Sequence, residues 1–230
     1  MASGVSEHFG RLDVVVDNAG CGHFGFVEEL SEQEFRDQLE TNVFGAMWVT
    51  QAALPILREQ GSGHILQVSS IGGISAFPML GAYHASKWAL EGFSQSLAAE
   101  VAPFGIHVTL IEPGGFATNW SGPSAVRSTE HPAYADVREK VAEMRRSRGS
   151  GGAGDPQSSA SAVLEVVDAE EPPLRVWAEL PGLSTSGILT SRDIHPAVPV
   201  TRVRGALLFR GSTAAAGWDQ RSGRRRDIRR

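Results

Sequence analysis

Three short apolar runs, each cut off by a cluster of turn residues, constrain this chain more than any other feature. Leu12-Asp13-Val14-Val15-Val16 breaks at Asp17-Asn18-Ala19-Gly20, and His64-Ile65-Leu66-Gln67-Val68 ends at Ser69-Ser70 and Gly72-Gly73. Ile106 to Ile111 is stopped by Pro113-Gly114-Gly115. Runs of this length, rich in β-branched residues and bounded by Gly, Pro, Asn and Ser, read as strands. Because they do not alternate polar with apolar, both of their faces must be covered, as in a parallel sheet.

The intervals between the runs are long enough for crossover helices, and they carry helical signals. Ser31-Glu32-Gln33-Glu34 is a capping box, pairing a short hydroxyl with a carboxylate three residues on. From it Phe35, Leu39, Val43, Met47, Leu54 and Leu57 recur at roughly helical spacing as far as Gly61. Tyr83 to Val101 repeats the pattern, with Ala89, Leu90, Phe93 and Leu97 on one face and Gly105 just past the end. Further on, Ala133 to Arg148 is expected to be a charged helix and Gly149 to Gly154 a flexible joint. Asp155-Pro156 is expected to cap a helix running to about Asp168, with Leu174-Arg175-Val176-Trp177 as a last strand. The order β-α-β-α-β-α-α-β places helices on both faces of a doubly wound parallel sheet, an α/β fold.

Charge divides the chain in two. Residues 1–180 carry 11 Lys+Arg against 23 Asp+Glu, whereas residues 181–230 carry 10 Arg, no Lys and 3 Asp. The division predicts one domain over residues 1–178 and an Arg-rich, irregular, disordered tail over 179–230. An acidic body argues against nucleic-acid binding, which depends on cations that neutralise phosphates. The single cysteine, Cys21, excludes an internal disulfide framework. His64, His84 and His107 lack the spacing of metal ligands, so no metal is expected. No apolar run approaches the roughly 20 residues of a membrane span, and no secretory h-region opens the chain. A cytoplasmic location is therefore expected.

The residues with chemical potential gather at one edge. Tyr83 and Lys87 stand four apart, on one face of a predicted helix. Alone, such a pair is cheap, and a lysine stem snorkelling past a ring explains it. Ser70, however, follows the second strand, Gly20 the first and Pro113-Gly114 the third. In doubly wound sheets the carboxyl ends of the strands form the ligand crevice. Asn42 lies within the preceding long helix, where a short amide competes for backbone hydrogen bonds. Asn18-Ala19-Gly20, Asn42, Ser70, Tyr83-x-x-x-Lys87 and Pro113-Gly114-x-x-x-Thr118 match the short-chain dehydrogenase/reductase family in order and spacing. The likeness covers about residues 10–177, and Leu80 to Asn119 resembles the retinol- and hydroxysteroid-dehydrogenase group within it.

The resemblance implies a Rossmann-like sheet, NADP or NAD as cofactor, and interconversion of a secondary alcohol with a ketone or aldehyde. It implies Tyr83 as the proton-transferring acid or base, and Lys87 as the ammonium that lowers its pKa and bonds the nicotinamide ribose. It also implies Ser70 as the group orienting the substrate oxygen. Asn42 would distort its helix and hold a water linked to Lys87. Asn18, Ala19 and Gly20 would pack against the adenosine half, while Pro113, Gly114, Phe116 and Thr118 would run over the nicotinamide and pyrophosphate. Phe77, Met79, Leu80, Phe116 and Trp120 are expected to wall a pocket for a largely apolar small-molecule substrate. The family's paired helices further imply a homodimer or homotetramer.

One departure bears on activity. No Thr-Gly-x-x-x-Gly-x-Gly loop occurs in the chain, and that loop is what lets a pyrophosphate reach a helix N-terminus. The likeness begins at the helix before the family's fourth strand, so Leu12–Val16 is expected to form an exposed sheet edge. Weak dinucleotide binding follows as an expectation. A second reading is therefore an inactive fragment or interaction module that keeps the site residues but holds no dinucleotide.

Overall fold

The computed structural model describes residues 2–116, 119–122, 125–147, 158–178, 200–203 and 206–209. After the helix α1 (Ala2–Phe9), strand β1 (Val14–Asp17) leads to the two-residue strand β2 (His23–Phe24). A helical run follows, made of α2 (Glu32–Leu39), a π-helical turn over Glu40–Phe44 and α3 (Gly45–Gln60). Next come β3 (Gly63–Val68), α4 (Gly81–Val101), β4 (Ile106–Pro113) and the short β5 (Val126–Arg127). Helices α5 (Ala135–Ser147) and α6 (Ser158–Val167) precede β6 (Arg175–Ala178), β7 (Val200–Val203) and β8 (Ala206–Phe209).

The main sheet has the order β1-β3-β4-β6-β8-β7, and its first four strands are mutually parallel. On one face Ala53 and Leu57 of α3 and Leu97 and Val101 of α4 pack on Val15, Ile65, Ile106 and Val108. On the other, Val166 of α6 closes over Leu66, Ile111 and Val176. Both faces of β3 and β4 are therefore dry, as their unbroken apolar sequence requires. The fold is the expected Rossmann-like α/β sheet.

Several element boundaries differ from the sequence reading, each for a local reason. Leu12 is outside β1 because the Gln60 side chain takes both of its backbone groups: Leu12 N–H donates to Oε1 at 2.8 Å, and Nε2 donates to Leu12 O at 2.7 Å. Asp17 instead joins the strand opposite Gln67, its carboxylate accepting from Thr50 and Gln67. The expected single helix from Ser31 to Gly61 is interrupted by the π turn that contains Asn42. The last strand includes Ala178. The segment 179–230 is not irregular throughout, since β7 and β8 form an antiparallel pair that extends the sheet beyond β6. The Gly149–Gly154 joint and the Asp155-Pro156 cap lie outside the described residues. Strand β1 does form a sheet edge, with Val16 51% exposed.

A buried histidine ties three strands together. His64 on β3 lies 2.9 Å through Nε2 from Thr109 Oγ1 on β4, and that hydroxyl donates to Pro173 O just before β6. Because the hydroxyl proton is committed to Pro173, His64 must be the donor to Thr109. Burial, aided by the neighbouring His107, pushes the His64 pKa from 6.5 down to about 4. Between those values the unfolded chain binds more protons than the folded one, so this stability is present above pH 6.5 and is lost as pH falls through 4. At 1.36 kcal/mol per unit the full effect is of order 3 kcal/mol. His64→Gln should therefore flatten the acid side of the stability profile. Urea midpoints at pH 7 and pH 4.5 check this, and an equal acid loss in both proteins would refute it.

Candidate active site

The carboxyl ends of β1, β3 and β4 carry the turn residues singled out in the sequence. After β1 the chain makes a close turn at Gly20. A Cβ there would lie 3.4 Å from Asn42 Oδ1 and 3.6 Å from Lys87 Nζ. One point of backbone thus touches the π turn and α4 together, and glycine keeps it open.

Asn42 is almost fully buried at 1% exposure. Its Oδ1 accepts from Cys21 N–H at 2.9 Å, and its Nδ2 donates to Cys21 O at 3.1 Å and Ser86 Oγ at 3.0 Å. The π turn aims this amide inward, so Asn42 fastens the turn after β1 to helix α4. Ser86 Oγ in turn donates to Tyr83 O at 2.7 Å.

Ser70 caps the short helical turn Ile71–Gly73, its Oγ accepting from Gly72 N–H at 3.0 Å. Gly72 must lack a side chain, because a Cβ would sit 2.7 Å from His84 Nδ1 and 3.0 Å from Tyr83 Cε1. His84 is packed rather than exposed: Nδ1 faces Gly72 O at 3.0 Å and Nε2 accepts from Phe77 N–H at 2.9 Å. It braces the loop between Ser70 and Tyr83, a role its sequence context did not announce. In the same loop Met79 adopts φ 70°, a strained conformation for a residue with a side chain, and its carbonyl accepts from Gly25 N–H at 3.0 Å.

Tyr83 is buried, and burial raises its phenol pKa above 10, with Cys21 adding to the rise and a hydrogen-bonding interaction from Ser70 opposing it. The Lys87 ammonium lies 5.9 Å from the Tyr83 ring centroid and donates to Val68 O at 2.8 Å. This corrects the expectation for the pair. Burial outweighs other influences, so the phenol is held up rather than brought down by the lysine. Lys87 itself is pushed down to about 8 by burial, against the attraction of Cys21 and Glu91.

Apolar groups roof the phenol. The Trp120 ring lies 4.9 Å from Tyr83 and 5.3 Å from Phe24, and Leu80 and Ala125 complete the cluster. Gly22 admits the indole, since a Cβ there would lie 2.5 Å from it. Of the residues expected to wall a substrate pocket, Trp120 and Leu80 pack on Tyr83, and Phe24, on the two-residue β2, joins them. Phe77 and Met79 are half-buried in the loop above, and Phe116, Pro113 and Gly114 are half-buried at the end of β4. Thr118 lies outside the described residues.

The roof hangs on contacts between residues about a hundred apart. Strands β2 and β5 pair over two residues, and side chains supply the rest. His23 Nε2 meets Ser128 Oγ at 2.7 Å, and Tyr134 stacks on Phe26 at 4.6 Å and donates to Glu28. Glu29 is ion-paired with Arg138.

The family model for short chain dehydrogenases matches residues 1–127. The chain belongs to the short-chain dehydrogenase family. Oxidoreductase BOA17 of Botryotinia fuckeliana (strain B05.10) is 47% identical over 171 residues, 74% of this chain and 62% of that protein. A short-chain dehydrogenase structure from Streptomyces avermitilis superposes with a TM-score of 0.67 at 46% identity, covering 76% of this chain and 64% of that one. The alcohol dehydrogenase of Thermococcus sibiricus, solved with 5-hydroxy-NADP, gives a TM-score of 0.57 at 29% identity, covering 76% and 66%. The chain therefore spans about three-fifths of the curated relative it matches. Among its described residues no helix is long and apolar enough to cross a membrane, and no group of three metal-ligating side chains occurs.

The family's dinucleotide fits the residues present on its nicotinamide side. Lys87 carries three N–H donors, of which Val68 O takes one.

The chain has two tyrosines, Tyr83 and Tyr134, and both phenols are raised, Tyr83 by burial and Tyr134 by its bond to Glu28. Ultraviolet titration of the chain should show both tyrosine midpoints above 10. In a Tyr134→Phe background the remaining signal belongs to Tyr83, and ionisation near neutrality would contradict the geometry.

Proposed function

We propose that the chain carries the catalytic part of an NAD(P)-dependent oxidoreductase that interconverts a secondary alcohol and a ketone, or an aldehyde, on an apolar small molecule. The observation that carries this reading is the buried Tyr83 phenol, set beside Ser70 and one helical turn from Lys87 under an apolar roof. When bound, the nicotinamide supplies or accepts the hydride. Tyr83, held protonated by burial, donates the proton that the carbonyl oxygen needs during reduction. Ser70 positions that oxygen against the phenol. Lys87 bonds the ribose with the donors that Val68 leaves over, and Asn42 keeps the turn after β1 against α4. Asn18, Ala19, Gly20, Pro113, Gly114, Phe116 and Thr118 border the dinucleotide.

The reading of the substrate as apolar rests on Trp120, Phe24 and Leu80 around the phenol. The solved Thermococcus protein with its NADP analogue supports the cofactor class, and either NADP or NAD is compatible with the residues described. A cytoplasmic location agrees with this chemistry. A homodimer or homotetramer agrees with the exposed aromatic residues on the helices around the site: Phe44 and Trp48, 6.3 Å apart, and Trp88 on α4.

Cofactor binding is measured by calorimetric titration with NADH and NADPH, and turnover by absorbance at 340 nm with a panel of ketones. Tyr83→Phe should lower kcat/KM by about 10²–10⁴-fold, the usual contribution of a general acid, while apolar ketones are preferred to sugars and charged acids. An unchanged rate in Tyr83→Phe would overturn the assignment, and turnover of sugars alone would overturn the substrate class. For assembly, Trp48→Glu together with Trp88→Glu should reduce the mass seen by light scattering to that of one chain. An unaltered oligomer would place the interface elsewhere.

A further inference from the structure

Lys87 is an ammonium at 6% exposure, and a charge so far from water needs an opposing charge. The groups facing it can be named element by element. The turn after β1 brings the Cys21 thiol, β3 brings the Val68 carbonyl, and the π turn brings the neutral Asn42 amide. Its own helix brings the Tyr83 phenol and, one turn further on, the Glu91 carboxylate. Four residues apart on a helix, the two side chains are neighbours.

Glu91 is itself buried at 4% exposure and is held from the far side. Arg175, at 6% exposure on β6, places Nη2 at 2.8 Å from Glu91 Oε2 and Nη1 at 3.4 Å from Glu112 Oε1 on β4. Ser69, beside Ser70, also favours the ionised form of Glu91. The cluster is tightly closed: a Cβ on Gly73 would lie 2.7 Å from Ser69 Oγ and 3.1 Å from Glu91 Oε1. Two buried carboxylates side by side repel, and one of them takes a proton unless a cation is shared. Arg175 lies nearer to Glu91, so the ionised carboxylate is the one next to Lys87.

We propose that Glu91, fixed by Arg175, is a positioning residue that keeps the Lys87 ammonium charged within the buried site. The proposal rests on the reading of Lys87 as a site residue, and it extends the site by three side chains drawn from α4, β4 and β6. Burial pushes Lys87 down and Glu91 up, each towards its neutral form; against it Cys21 and Glu91 favour the charged Lys87, and Arg175 and Lys87 favour the ionised Glu91.

The chain contains two lysines, Lys87 and the exposed Lys140, so lysine labelled with ¹³C at Cε gives two signals in the 230-residue protein. In the wild type the Lys87 signal should titrate near pH 8. Glu91→Gln should lower the Lys87 midpoint by about one pH unit, a tenfold loss of proton affinity, and leave Lys140 in place. Glu112→Gln, which keeps the Glu91–Arg175 pair, should leave the Lys87 midpoint within about 0.3 unit, because Glu112 acts on Lys87 only at second hand. A Lys87 midpoint unmoved by Glu91→Gln overturns the proposal, and so does an equal shift in both variants, which would mean general loosening. Should Glu91→Gln fail to fold, the wild type decides: the Glu91 carboxyl carbon, identified by its loss in Glu91→Asp, must shift at the Lys87 midpoint. No shift there overturns the proposal. Neither cofactor nor substrate is present in this titration, so a chain that proves inactive leaves its outcome intact.

Discussion

Parallel register is the constraint on which the rest depends. Val15, Ile65 and Val108 stand opposite one another in consecutive strands, so β1, β3 and β4 end together at one edge. Whatever follows each strand is delivered to the same place, and Gly20, Ser70 and Gly114 follow them. Helix α4 then crosses that edge with Tyr83 and Lys87 in its first two turns. The site is a consequence of strand alignment before it is a matter of any one side chain. A one-residue slip of β3 would turn Ile65 and Leu66 to opposite faces and carry Ser70 away from the phenol.

The roof obeys a different logic. A parallel ladder of two residues holds little by itself, so β2 and β5 depend on a layer of side chains from segments far apart in sequence. Glu29 is central to it, accepting from Phe26 N–H and His131 N–H while paired with Arg138. Those bonds hold its carboxyl below the usual range against the opposing pull of burial. The Arg127 and Arg145 guanidiniums lie over the Phe24 ring, so cations outside and Trp120 inside grip one aromatic residue. Trp120 can roof Tyr83 because this layer fixes the segments on either side of it.

These two logics explain what was legible in the sequence. Strands, helices and the edge at which they meet are recorded in local pattern: apolar runs, a capping box and breakers. Asn18 to Gly20, Asn42, Ser70, Tyr83 and Lys87 could be placed from spacing and family likeness, and the fold brings them to one edge. The roof and the charges beneath the site are recorded only in pairings across long separations, such as His23 with Ser128 or Glu91 with Arg175. No local pattern reports such a pairing. Gly72 reads as an ordinary strand-ending glycine and Gly22 draws no notice, although each clears space for a particular ring. The sign of the Tyr83 shift was also out of reach, because it depends on how much water the folded site excludes.

That exclusion acts on both members of the central pair, in opposite directions. In water a tyrosine and a lysine lose their protons close together, near pH 10 and 10.5. Burial disfavours whichever form is charged, so the phenol moves up and the ammonium moves down to about 8. The order is thereby fixed: on raising the pH the lysine gives up its proton first. Around neutrality the site therefore holds a neutral phenol beside a cation, the combination a proton donor to a carbonyl requires. The reverse use, with the phenol as base, needs negative charge on the oxygen while the neighbouring cation persists. On the proposal made above, a carboxylate one turn away extends the pH range over which that cation survives, so charges one layer below the phenol and the ammonium bear on which of the two is charged at a given pH.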